Sequence, residues 1–522
     1  MQHGEDDQTV SLKVWLGFAM MCLGMFMAIL DIQVVATSLP TIQKALGVNP
    51  DQLSWVQTAY LIAEIIAIPL TGFLTRALTT RWLFVSAISV FTLASAGCAA
   101  SHSFESLIAF RVLQGFSGGT LIPAVFAVVF LLFPFRLQGV ATTIAGVLAV
   151  LAPTVGPIVG GWITQTYSWH WLFLINIVPG AVAAIGGVVF LVREKLYLRS
   201  IRAVDGVALL LMAVALASFE IGLKQAPDLG WASPLVLGLL ALSGVCGVGF
   251  IGRSMGANRP IVDLRTLKDR NFAIGCALSF VLGIGLFGSV YLMPVFLAFV
   301  RGHGALQIGE IMLVTGVAQL VTAPIAVALE RRVDARLLTG FGFLLFGLGL
   351  SMSAFETTQT DFAQMFWPQL IRGVAIMFCL LPPTRLALGQ LEAARVPDAS
   401  GLFNLMRNLG GAIGLALIDT VIYGRAPTLA AQIVKRLQQG DIDTARAVGI
   451  PLALFKAQGN APLDADTAAM LRPMVAHLSL VQAMNEAWML VAALTLIALL
   501  AVPFARPERR PQPAPLKTDQ AM

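Results

Sequence analysis

Charge is what this sequence has least of. Asp, Glu, Lys and Arg together make up 12% of its 522 residues, about half the share usual in soluble domains. So few charges cannot cover a water-facing surface. A chain that is 57% apolar, with mean hydropathy +0.82, needs a bilayer as its solvent. Cysteine is also scarce. Cys22, Cys98, Cys246, Cys276 and Cys379 each lie inside an apolar run and form no CxxC, so buried thiols are expected, not disulfides or thiolate metal ligands. The five histidines, His3, His102, His170, His303 and His477, are scattered and form no HxxxH or HExxH, and no metal site is expected. No GxxxxGK[ST] occurs, which removes direct ATP coupling through this chain. No nucleophile–base set stands near an interface, so no enzyme is expected. The net charge of +6 is spread over short loops without a basic, aromatic-interleaved stripe, which argues against nucleic acid.

What is present is apolar sequence in membrane-sized lengths. Segments fall near 13–37, 53–73, 83–101, 106–132, 139–164, 172–192, 205–224, 232–252, 272–299, 305–328, 337–355, 365–391, 399–423 and 485–504. That makes fourteen spans. Each is long enough to cross about 30 Å of hydrocarbon, and none alternates as a barrel strand would. The fold expected is an all-α polytopic membrane protein. The stretch MQHGEDD is acidic and no small-residue cleavage site follows the first run, so that run reads as a retained helix. Basic residues crowd alternate loops: Arg76 and Arg81, Arg136, Arg193 to Arg202, Arg253 to Arg270, Arg331 to Arg336, Arg385 and Arg395, and the tail. The other loops hold little beyond Lys44, Lys224 and Arg301. That bias places both termini in the cytoplasm. Residues 424–484 form a long outer loop with helical spacing at Leu429, Ile433 and Leu437. It reads as an amphipathic helix lying over the bundle, or as a docking surface for a periplasmic partner.

Charged residues inside spans are costly and so point to function. Asp31 lies toward the outer end of the first span, Glu64 near the middle of the second, and Arg111 in the outer part of the fourth. Asp31 and Arg111 share a depth of roughly 8–9 Å below the outer boundary. They read as a pair that binds and releases a proton as helices move, or as a fixed structural tie. In RVLQGFSGG, Arg111, Gln114, Gly115, Gly118 and Gly119 fall on one helix face, where the glycines admit a neighbouring backbone. In APTVGPIVGGW, Ala152, Gly156 and Gly160 make a small-residue stripe, and Pro153 and Pro157 remove two helix donors. The combination reads as a helix that slides or flexes.

These residues carry a resemblance. RVLQG resembles the RxxQG motif of the major facilitator superfamily's fourth helix, and GPIVGG its GPxxGG antiporter motif. LDIQVVATSLPTIQ, SWHWLFLINIVPG and ASGLFNLMRNLGGAIG are similar to patterns of the fourteen-helix drug:proton antiporters of EmrB/QacA type. The resemblance implies a major facilitator fold: two six-helix bundles at 13–192 and 272–505, joined by 193–271 with two inserted helices, and flanked by cytoplasmic segments 1–12 and 506–522. A faint repeat agrees, with Arg372-Gly373 standing near the place of Gln114-Gly115. GFLTRALTTR departs from the superfamily's GxLxDRxGRK loop, because Arg76 stands where the aspartate would be. That puts the usual charge relay in doubt. His170 and Gln33 also replace the arginine of WRW and the threonine of LDxT.

The function expected is a proton-coupled exporter of amphipathic organic compounds working by alternating access in a bacterial inner membrane. It needs no cofactor beyond the ion gradient, although sodium in place of protons stays open. Asp31 would be the main proton carrier with Arg111 modulating its pKa, and Glu64 a second protonation site or a counter-charge for a cationic substrate. Trp55, Gln57, Tyr60, Gln114, Phe287, Tyr291, Arg407 and Asn408 are the cavity candidates, each also readable as packing. Gly115, Gly156, Pro157, Gly160 and Gly161 form the conformational motif. In Gram-negative relatives such pumps work with a periplasmic adaptor and an outer-membrane channel. The alternative is a transporter dedicated to one metabolite such as a vitamin, siderophore or peptide, since fold does not fix substrate. A channel is disfavoured because no ring of like groups suggests a filter.

Overall fold

Runs of about twenty apolar residues leave the backbone few ways to satisfy its N–H and C=O groups in lipid, and helices are the local one. The structure, a computed structural model, describes residues 10–36, 38, 42, 45–47, 55–193, 205–257, 260–330, 332–450 and 465–506. Among the described residues there are helices and no strands. The first half holds α1 (Leu12–Ala36), α2 (Trp55–Ala67), α3 (Thr71–Ala99), α4 (Phe104–Leu132), α5 (Phe135–Thr166) and α6 (Ile177–Phe190). Two further helices follow, α7 (Gly206–Leu229) and α8 (Pro234–Gly256). The second half holds α9 (Arg270–Phe299), α10 (Ala305–Glu330), α11 (Ala335–Met352), α12 (Phe362–Leu388), α13 (Val396–Gln438) and α14 (Ala465–Ile497). Among the described residues thirteen helical stretches are long and apolar enough to cross a membrane, and one of them, Trp55–Ala99, runs 45 residues. That is two passes. The break falls at Thr79, the one described non-glycine residue with positive φ (φ 68°, ψ 159°). Fourteen passes result, as the hydropathy indicates.

Local signals start the passes. Ser103, Asp205, Ser233, Asp269, Asp334 and Asp361 each accept a hydrogen bond from the first turn of the helix they precede, which satisfies a donor that has no partner within the helix. Two cores form. One gathers Met25, Phe84, Phe91 and Phe126 in the first half. The other gathers Phe296, Phe343, Phe346 and Trp488 in the second, and takes in Val147 and Val150 from α5. Large apolar side chains such as Leu93, Ile185, Val245 and Phe299 stay exposed, as a lipid-facing surface requires. The inserted pair is peripheral. α7 packs on α2, α13 and α8, whereas α8 is almost wholly uncovered. Lys224, expected in a loop, lies within α7 and donates to Thr58. The Trp231 indole donates to Thr420 Oγ1 at 2.9 Å. The insert therefore touches both halves.

The long outer loop is mostly helix. α13 continues to Gln438, a short helix spans Ile442–Val448, and α14 begins at Ala465, twenty residues before the apolar run located from sequence. Leu429, Ile433 and Leu437 do not lie over the bundle. They are buried, and Ile433 and Leu437 join Ala445, Val448, Val475 and Leu478 in a satellite core of their own. The stripe has its own partner in the first turns of α14, so it stands up instead of lying down. Residues 451–464 of that segment lie outside the described residues.

At the arginine-rich end the halves meet. Arg76, just before the Thr79 break, makes an ion pair with Asp398 at the start of α13. Ser400 Oγ donates to the Pro123 carbonyl at 2.7 Å. The Arg385 guanidinium stands 4.1 Å over the Phe135 ring and 3.4 Å from Glu330. The aspartate-less loop therefore still latches the halves. Its charge is reversed and its partner sits on the other half.

Candidate functional site

Two helices bring a buried ion pair of the first half together, and two more supply its neutral partners. Asp31 near the end of α1 is 1% exposed and Arg111 on α4 is fully buried. Arg111 Nη1 donates to Asp31 Oδ2 at 2.5 Å and to Gln114 Oε1 at 2.7 Å. Gln114 Nε2 donates to Asp31 Oδ1 at 2.9 Å and to Ser95 Oγ of α3 at 2.8 Å. Asn176, at the entry to α6, gives a further bond to Asp31 Oδ1 at 2.8 Å. Burying two charges costs several kcal/mol per ion unless geometry and extra hydrogen bonds offset it. Here three donors converge on one carboxylate. Arg111 also donates through Nε to the Val56 carbonyl at 3.0 Å, and its guanidinium lies 4.3 Å over the Tyr60 ring. Its Nη2 has no acceptor among the described residues.

Close approach makes this possible. Gly115 abuts the backbone of Tyr60, whose Cα would stand 2.8 Å from an added Cβ. Gly156 abuts Gln33, two residues from Asp31, on the face of α5 that meets α1. Pro157, Gly160 and Gly161 lie in α5, which also packs against α10 of the other half, Ile158 against Gly309. α5 thus touches both the carboxylate's helix and the second half. The arrangement can convert protonation into movement. A proton on Asp31 removes the charge that holds Arg111, and with it the tie among α1, α3, α4 and α6.

The other expected residues divide. Glu64 is buried one turn along α2 from Tyr60, outside the network, where it feels the charges of Arg111 and of Glu220 on α7. Tyr60 and Gln114, expected in a cavity wall, are sealed at 0% exposure. The Tyr60 hydroxyl donates to the Ala28 carbonyl at 3.1 Å, and the Gln114 amide is used up by Asp31, Arg111 and Ser95. Trp55 is exposed at the start of α2 and Gln57 half-buried. Phe287 packs on Gly411, and the Tyr291 hydroxyl donates to Asp419 at 2.8 Å. Both bind α9 to α13. Arg407 is buried, donates to Asn404, and lies 5.6 Å from the Phe126 ring of the first half. Asn408 donates to the Asn404 carbonyl at 3.1 Å. Among the described residues no group of acids, histidines or cysteines could hold a metal.

Sequence reasoning missed Ser95 and Asn176. Asn176 was visible in LINIVPG as an amide inside an apolar run, just before the Pro179-Gly180 start of a helix. Asn176→Ala should lower the melting midpoint in detergent, because it takes one donor from a buried carboxylate, a loss of about 1–3 kcal/mol. Glu64→Gln, outside the network, should not lower it.

Comparison with known proteins agrees with this geometry. The sequence profile of the Major Facilitator Superfamily matches residues 21–415. The chain is 40% identical over 409 residues to the colistin resistance protein EmrB of Acinetobacter baumannii, covering 78% of this chain and 80% of that one. It is 30% identical over 487 residues to the multidrug export protein EmrB of Escherichia coli, covering 93% and 94%. Among solved structures, the human organic anion transporter MFSD10 superposes with a TM-score of 0.59 at 14% identity over 94% of this chain and 99% of that one, a likeness of fold. The chain belongs to the major facilitator superfamily, a transporter family, and within it to the drug:proton antiporters of EmrB type.

Proposed function

We propose that this chain exports amphipathic organic compounds across a bacterial inner membrane in exchange for protons, by alternating access. The observation that carries the reading is the sealed Asp31–Arg111–Gln114–Ser95–Asn176 network, a titratable group tying α1, α3, α4 and α6 in a chain whose sequence holds no GxxxxGK[ST] motif. The multidrug export and colistin resistance names of its relatives support the drug class. With the arginine-rich end in the cytoplasm, both termini lie there. The satellite core of α13 and α14 then stands on the periplasmic side, where an adaptor leading to an outer-membrane channel would dock. Protons supply the energy and no cofactor takes part.

Everted membrane vesicles with an acid interior test this. Several chemically unrelated amphipathic dyes and antibiotics should each release internal protons. A response to one compound only would replace the reading with a dedicated metabolite transporter, and no response to any would remove proton exchange.

A further inference from the structure

The fourth helix of each half carries an arginine and a glutamine one turn apart ahead of a glycine, in opposite order. α4 has Arg111-x-x-Gln114-Gly115 and α12 has Gln369-x-x-Arg372-Gly373. The glycines are equivalent in space. Gly115 abuts the backbone of Tyr60 on the second helix of its half. Gly373 abuts that of Thr315 on α10, the second helix of the other, whose carbonyl oxygen would stand 2.6 Å from an added Cβ. Each arginine also lies against an aromatic ring, Arg111 at 4.3 Å from Tyr60 and Arg372 at 4.8 Å from Trp488.

What differs is the counter-charge. Arg111 meets a carboxylate from the first helix of its half. Arg372, 3% exposed, meets a thioether from the first helix of its own, Nη2 lying 3.5 Å from Met293 Sδ on α9. Glu356 acts on Arg372 electrostatically, but among the described residues no carboxylate stands within ion-pair distance of it. Arg372 Nη1 is buried without an acceptor. So is Nε2 of Gln369, whose Oε1 is taken by Thr315 Oγ1 at 3.2 Å. Buried donors are almost always satisfied, and each exception needs a reason. Here two lie one turn apart and both lack an acceptor.

A cavity opens beside Arg372. Arg372, Thr315, Ser289 and Met293 line it with apolar residues of α9, α10 and α12, and Val150 and Thr154 of α5 close it from the first half. Its free space of about 20 Å³ holds roughly one water molecule, so a larger guest enters only when α5 and the second half separate. We infer that Arg372, with the free Gln369 amide one turn behind it, is the recognition subsite for the carboxylate of an amphipathic anion, whose apolar tail lies between α5 and the α9–α10 face. The inference extends the exporter reading to a substrate class. Planar guanidinium and amide donors suit a carboxylate's two oxygens. A cationic amphiphile would gain nothing there.

The test is equilibrium binding to the full chain in zwitterionic nanodiscs, with empty discs subtracted, using laurate and dodecyltrimethylammonium as probes of equal tail length. Wild type should bind laurate saturably. Arg372→Gln should weaken laurate binding tenfold or more, roughly the loss of one charged hydrogen-bonded contact. It should leave dodecyltrimethylammonium within about twofold and the melting midpoint no lower, because it removes a buried charge that no carboxylate among the described residues pairs. Arg372→Lys should fall between. Absence of saturable laurate binding to wild type, unchanged laurate affinity in Arg372→Gln, or equal loss of both probes with a lowered melting midpoint would each overturn the subsite. Arg372-dependent laurate binding in a protein whose vesicles release no protons would instead remove the exchange mechanism and leave the subsite standing.

Discussion

Asp31→Asn should abolish gradient-driven efflux while leaving downhill exchange of substrate measurable. Asp31 Oδ1 accepts from Gln114 and Asn176, and Oδ2 accepts from Arg111. An asparagine offers one oxygen and one NH₂, so in either orientation its NH₂ faces a donor, and Arg111 is left without its counter-charge. Stranding one member of a buried pair costs about 3–5 kcal/mol, and the melting midpoint should fall with it. A companion variant separates the two effects. Asp31→Asn with Arg111→Gln removes the stranded charge and should recover much of the melting midpoint, yet remain without proton-driven transport, because the network then holds nothing that titrates. The measurement is initial rate in vesicles with an imposed acid interior, alongside substrate exchange without a gradient. Acid-driven efflux at the wild-type rate in either variant would remove Asp31 from the coupling step.

Legibility of this protein in its sequence followed the physics of each signal. The fourteen passes were readable because hydrocarbon thickness sets a length that hydropathy counts directly. Asp31 and Arg111 were readable because charge inside lipid is expensive enough to be rare, and helix rise placed the two at one depth. Ser95 and Asn176 were not, because neutral polar side chains in spans are common and cost little when satisfied. Nothing in LINIVPG by itself says that its amide turns toward α1. The exposure of Trp55 and the sealing of Tyr60 depend on which face of α2 meets α4, and aromatic content alone does not fix that. The 424–484 segment reads as a loop because hydropathy reports lipid contact, whereas α13 continues as helix to Gln438 on the strength of a stripe that packs on α14. The latch is hidden from the loop sequence for a related reason: the carboxylate that completes it lies 322 residues away.

That latch makes the second prediction. Arg76→Gln and Asp398→Asn should each slow transport about tenfold, and the double variant should be no slower than either single. Asp398→Asn keeps the side-chain shape, Arg76→Gln shortens it, and both remove the same ion pair, so their losses should not add. The magnitude follows from the burial of the pair. The Asp398 side chain is 6% exposed and that of Arg76 is 39% exposed, so solvent screens one partner and the loss stays below that of a fully buried pair. About 1–2 kcal/mol remains, which shifts a conformational equilibrium by roughly tenfold. The slowing arises because the state closed at the arginine-rich end loses its tie and the cycle stalls with that end open. Gly72→Ala should mimic the loss with both charges intact, since an added methyl carbon would stand 2.7 Å from Asp398 Cα and hold α13 away. Losses that multiply to about a hundredfold in the double variant would mean that Arg76 and Asp398 act on separate steps. A Gly72→Ala protein as fast as wild type would mean that close approach of α13 to this loop is not needed for the closed state.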